Sequence, residues 1–98
     1  MILESAVINI KPGQETAFEA AMRTARPFIA ASHGFIDMKL QRCIETPNRY
    51  VLLVKWRTLE DHKVGFRQSD RYQEWRKLLH HFYDPAPVVE HYDSPIPL

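Results

Sequence analysis

The sequence predicts an α+β fold, a ferredoxin-like β-α-β-β-α-β sandwich whose second helix is split. Three observations carry that reading. Four segments are rich in β-branched and apolar residues. Two segments between them repeat apolar residues at spacings of three and four. Proline, glycine, serine and asparagine clusters punctuate the chain between these segments. The length of 98 residues fits one domain, residues 1–98. A composition of 45% hydrophobic and 26% charged residues is that of a globular chain rather than a disordered one.

Ile2 to Ile10 reads as the first strand, with Ile2, Ala6, Ile8 and Ile10 on one face and Leu3 and Val7 on the other. A strand apolar on both sides is usually covered on both. Lys11-Pro12-Gly13 ends it. Gln14 to Ala31 reads as a helix, because Phe18, Met22, Ala25 and Ile29 share one face. Pro27 lacks a backbone donor, so a kink or break is expected near Ala25. Gly34 suits the left-handed position after the helix stop.

Phe35 to Cys43 is the second strand, apolar at Ile36, Met38 and Leu40 and polar between them. After Thr46-Pro47-Asn48, Arg49 to Arg57 is the third, with Tyr50, Leu52, Val54 and Trp56 on one face. Thr58 caps a short helix in which Leu59, His62 and Phe66 share a face, and which Gly65 is expected to end. Ser69 and Asp70 cap the longer part, where Tyr72, Trp75, Leu79 and Phe82 form a stripe. Val88 to Asp93 is the last strand. Helices on one side of the sheet leave a second apolar face, so a homodimer is expected.

Several classes are excluded. Thirteen basic against twelve acidic residues give no drive toward nucleic acid, and the third strand lacks the glycine of RNA-binding ferredoxin-like domains. The longest apolar runs are about five residues, far short of the roughly 20 of a membrane helix. Met1-Ile2-Leu3-Glu4 does not begin a signal peptide, so a cytoplasmic location is expected. Gly13, Gly34 and Gly65 are too scattered for a dinucleotide or phosphate loop. The histidines lack metal-ligand spacing, so no metal is expected, and Cys43 has no activating motif.

A group of motifs resembles the antibiotic biosynthesis monooxygenase (ABM) family. It comprises Ile8-Asn9-Ile10-Lys11-Pro12-Gly13-Gln14 with Phe18, Gly34-Phe35, Val51-Leu52-Leu53-Val54-Lys55-Trp56, Leu59-Glu60-Asp61-His62, and Ser69-Asp70-Arg71-Tyr72 with Trp75. The resemblance implies a dimeric α/β barrel, with a pocket between sheet and helices in each subunit. It also implies oxygenation of phenolic or quinol-like rings without metal or flavin, hence no cofactor and a small aromatic ligand. That chemistry needs a base or donor in an aromatic-lined, water-poor cavity. The Asn, Trp and His implied by the haem-degrading branch would fall at Ala6, Gly65 or Phe66, and Arg76, and none matches.

The candidate catalytic residues are His62, as pocket base or donor, and Asn9, as partner of a ligand oxygen. Each has a plainer alternative: a buried neutral histidine, and the exposed end of a strand. Phe66, Tyr72, Trp75, His91 and Tyr50 are the candidate substrate-binding residues, although aromatics at such spacing also build ordinary cores. Arg67 and Arg76 could hold an anionic group. His80 and His81, at a helix end, are expected at the surface, and a non-catalytic ligand-binding or stress-response barrel is the alternative function.

Overall fold

Alternation along the two central strands decides which side of the sheet is covered. In the computed structural model, which describes residues 1–98, the strands are β1 (Ile2–Asn9), β2 (Phe35–Arg42), β3 (Arg49–Trp56) and β4 (Val88–Tyr92). They form one antiparallel sheet in the order β2-β3-β1-β4. The α+β ferredoxin-like class is therefore the observed one. The sheet of a single chain is open, not a closed barrel.

Residues 4, 6 and 8 of β1 and 50, 52, 54 and 56 of β3 are buried on one face. Helix α1 (Glu15–Ala30) and helix α2 (Asp70–Leu79) cover that face. Phe18, Met22, Ala25 and Ile29 supply the buried stripe of α1, while Trp75 and Leu79 supply that of α2. Removing each large side chain of this layer from water contributes about 1.5–3 kcal/mol. Phe18 packs on Tyr50 at 4.9 Å between ring centres and on Phe82 at 5.6 Å.

Helix α1 does not break at Pro27; it continues to Ala30. Pro27 and Arg23 both lie on the solvent side, so the carbonyl deprived of its donor faces water. Ala25 and Ile29, fully buried on either side of the proline, hold the last turn against the sheet. The segment after β3 also departs from expectation. Asp61 N–H donates to Thr58 Oγ1 at 3.2 Å, but the turn then widens into a π-helix, Asp61–Phe66, that runs through Gly65. Its width is set by Arg67 N–H donating to the His62 carbonyl, five residues back. The changed angular step leaves Leu59 exposed while His62 and Phe66 point inward.

The π segment is anchored at Gly34, which takes φ +81° before β2. A Cβ there would lie 1.9 Å from Asp61 Oδ2 and 2.8 Å from Asp61 Cβ. Arg71 binds α2 to the end of α1, donating to the Phe28 carbonyl at 3.0 Å and to Ser32 Oγ. Ser69 caps α2, accepting from Tyr72 N–H. Gly34→Ala combines a left-handed backbone with a clash, and is expected to cost about 2 kcal/mol or more. Urea denaturation checks this; an unchanged midpoint would show that Asp61 moves aside freely.

Candidate functional site

Glu4 is the one charged residue on the covered face of β1. The β1–β4 register sets His91 directly opposite it. Its carboxylate is 5% exposed and needs donors, because a buried unpartnered charge is strongly unfavourable. Trp56, at the end of β3, donates its indole N–H to Glu4 Oε1 at 2.9 Å. His62 Nε2 lies 3.3 Å from the same oxygen. On its other side, His62 Nδ1 meets His91 Nε2 at 2.8 Å. The His62 ring also stacks on Trp56, 5.1 Å between centres and 19° apart in plane.

Glu4 and His62 stand in the wall of a cavity of about 380 Å³ between the sheet and α2. Ala6, Ile8 and Leu52 form its apolar floor, while Phe66, Tyr72 and Trp75 form the aromatic side. Phe66 meets Tyr72 and Trp75 edge-on, at 5.4 and 5.8 Å. Arg67 lines the same cavity and forms no ion pair. The volume suits a small organic molecule.

Electrostatics follow from burial. Desolvation raises the Glu4 carboxyl, against the indole hydrogen bond and Arg67, which lower it. Desolvation drives His62 down from 6.5 to about 3, and the cations Arg67 and Lys63, with the neighbouring His91, push the same way. The imidazole is therefore neutral across the physiological range. His91 is lowered by the same kinds of cause, burial first. Tyr83, also in the cavity wall, is raised by burial.

The candidates from the sequence divide on this geometry. His62, Phe66, Tyr72 and Trp75 meet in the one cavity. His91 lies behind His62, bonded to it, rather than in the wall. Tyr50 is not brought there. It lines a second cleft between α1 and β2, where its hydroxyl donates to Glu19 Oε2 at 2.7 Å, and it is pushed up to about 12 by burial and by that carboxylate. Asn9 lies on the opposite face of the sheet, accepting from Arg49 Nε at 2.9 Å. Strand parity separates it from the cavity.

His80 corrects an expectation. The 3₁₀ turn His80–Phe82 tightens the end of α2 and brings His80 to the cavity wall, half-buried, while His81 stays exposed. Glu4 is the residue that reading the sequence missed. A signal existed, since a carboxylate shares the parity of Ala6, Ile8 and Ile10.

Comparison with known proteins places the chain. Residues 1–78 match the antibiotic biosynthesis monooxygenase (ABM) family, and the chain belongs to that family. It is 51% identical over 94 residues to the uncharacterized protein YczJ of Bacillus subtilis (strain 168), covering 96% of this chain and 99% of that one. A crystal structure from Bordetella bronchiseptica, bearing the same family's name, superposes with a TM-score of 0.92 at 42% identity, covering 97% of each chain. SnoaB, a cofactor-independent oxygenase from Streptomyces nogalater, shares the fold at TM-score 0.84 and 15% identity, over 99% of this chain and 95% of its own. No helix is long and apolar enough to cross a membrane.

The two buried groups act on stability with opposite signs. His62 has a folded value below its ordinary one, so its contribution is full above pH 6.5 and is lost as pH falls toward about 3. Glu4 is raised, so its contribution is full below its ordinary 4.5 and is lost as pH rises through the folded value. Acidification from pH 6.5 is expected to destabilise the wild type more steeply than His62→Gln, by up to about 1.4 kcal/mol per pH unit. Urea midpoints against pH measure this, and parallel curves for the two proteins would refute it.

Proposed function

We propose that this protein is a monooxygenase that oxidises a small, electron-rich aromatic molecule with O₂, without an organic or metal cofactor, and that it works as a homodimer. The substrate class is quinol-like or polyketide-like. The observation that carries the reading is the Glu4–His62 pair, buried in the wall of an aromatic-lined cavity beside Arg67. Membership of the family and the shared fold with a cofactor-independent oxygenase support it.

The chemistry is balanced with O₂ as the only oxidant. A base removes a proton from an acidic ring CH₂ or hydroxyl, leaving an electron-rich anion. For a CH₂ substrate, the anion passes its electron pair to O₂, first one electron and then the other, and a C–O bond forms. The peroxide anion takes the proton back. Loss of the second C–H proton then breaks the O–O bond, giving a carbonyl and one water. Glu4 serves as the base: its Oε1 accepts from Trp56 and faces His62 at 3.3 Å, while burial raises its affinity for a proton above that of an ordinary carboxylate. Arg67, in the cavity wall, faces the developing oxyanion, a part that Asn9 on the opposite face of the sheet cannot take. Phe66, Tyr72 and Trp75 orient the ring and exclude water.

The other face of the sheet supports the second copy. Val7, Val88 and Tyr92 are exposed there beside Leu3, Val51 and Leu53, with no helix over them. An apolar face of this kind is what a face-to-face sheet pairing buries.

Oxygen uptake with a panel of anthrones and quinols tests the activity. Turnover above buffer is expected for the wild type, with losses of roughly 10²-fold or more in Glu4→Gln and His62→Gln. A ligand that copurifies unchanged, with no oxygen uptake by any of the three, would favour a non-catalytic binding barrel instead. Sedimentation tests the assembly: the wild type is expected at the mass of two chains and Val7→Glu at that of one. A wild-type monomer at micromolar concentration would overturn the dimer.

A further inference from the structure

We infer that Glu4, His62 and His91 form a proton wire from the cavity to the β4 edge of the sheet, conducting by a switch of tautomer in both rings. The inference deepens the reading of Glu4 as the base, and rests on it for its use in catalysis. The geometry is that of a line. His62 turns Nε2 to Glu4 at 3.3 Å and Nδ1 to His91 at 2.8 Å. Opposite nitrogens of one ring thus touch the two neighbours. The three groups do not converge on a point as metal ligands would. His91 is partly exposed on an edge strand, so the line begins at the cavity and ends near solvent.

With the 3.3 Å contact between His62 Nε2 and Glu4 Oε1 drawn into hydrogen-bond alignment, two hydrogen-bond polarities satisfy the line, and they differ by one proton. With Glu4 protonated, its O–H donates to His62 Nε2, His62 Nδ1–H donates to His91 Nε2, and His91 keeps its proton on Nδ1. With Glu4 ionised, every bond reverses: His91 Nε2–H donates to His62 Nδ1, and His62 Nε2–H donates to the carboxylate. Trp56 N–H donates to Oε1 in both. Passage from the first to the second moves the proton from Oε1 to His62 Nε2, from His62 Nδ1 to His91 Nε2, and from His91 Nδ1 to water. The net result is Glu4 carboxylate and hydrated proton, with both rings neutral before and after.

The surroundings explain why the rings stay neutral. Lys63 of the π segment and Arg67 just after it act on both histidines, and burial opposes any charge on His62. Tyr83, from the segment before β4, is raised by burial first and then by Tyr72 and Glu4, and does not compete for the proton. A buried carboxyl without such a line would have to exchange its proton through the substrate cavity, which a bound ligand blocks. The wire lets Glu4 be set to carboxylate with the cavity filled.

The test is nuclear magnetic resonance of the full chain, with ¹⁵N-labelled histidine and ¹³C-labelled glutamate, titrated in pH without ligand. The Glu4 carboxyl is expected to ionise above its ordinary 4.5. At the same midpoint, the two ring nitrogens of His62 exchange shifts, the proton moving from Nδ1 to Nε2, and those of His91 do the same. In Glu4→Gln the oxygen that accepts from Trp56 N–H is the atom His62 Nε2 faces, so it can only accept there, and both rings are expected to be fixed with the proton on Nε2. The wire is overturned if either ring keeps its tautomer while Glu4 ionises, or if His62 takes a second proton in that range. Oxygen uptake separates the two readings. Fixed tautomers with intact turnover defeat the wire alone, and switching tautomers with no turnover on anthrones and quinols defeat the oxygenase alone.

Discussion

A carboxylate on the covered face of a sheet has to find its donors within the protein. Glu4 takes one from Trp56, on the adjacent strand β3 two residues beyond its own register partner Val54, and meets His62 from the segment that follows β3. Neither could be dispensed with cheaply, because a buried ion left without partners costs several kcal/mol. The requirement shapes what surrounds it. Trp56 lies at the end of β3 with its ring fully buried, so that the indole N–H can reach across to β1. The helical segment after it carries a histidine at the depth of the sheet rather than a leucine.

The widened turn keeps His62 and Phe66, four residues apart, on that layer while Leu59 stays exposed. Its cost in hydrogen-bond geometry is offset by stacking of His62 on Trp56 and by the close seat of Asp61 against Gly34. The second cleft shows the contrast. Tyr50, Glu19 and Arg42 also form a tight hydrogen-bonded group, but Arg42 is 69% exposed and solvent screens it. Similar polar groups thus sit in a solvated surface in one place and in a buried cavity wall in another. The difference is access of water.

Much of the fold was legible because it rests on period. The stripe Phe18, Met22, Ala25, Ile29 and the alternation of Tyr50, Leu52, Val54, Trp56 specify their faces without further information. Of the cavity wall, only the part that shares that period was legible, at His62, Phe66, Tyr72 and Trp75. Pro27 misled because its effect depends on whether the orphaned carbonyl meets water, which is a tertiary fact. His80 was misplaced because a 3₁₀ turn follows α2 and no propensity announces it. Glu4 was passed over because its neighbour in space, His91, stands 87 positions along the chain, joined to it only by strand register. Asn9 was offered for its amide, when its parity already assigned it to the other face.

The irregularity in β2 between Phe35 and Asp37 has a consequence for how the molecule behaves in a crowd. β2 is an edge strand, and a regular apolar edge would template strands from other molecules. Here the register shift interrupts the row of unpaired backbone groups, and Asp37 and Lys39 add charge of both signs beside it. Growth of the sheet sideways, which has no natural end, is thereby discouraged. Contact through a face is finite, since two faces that meet leave nothing further to add. The misaligned residue at the start of β2 is thus one local feature that works against sideways pairing at that margin.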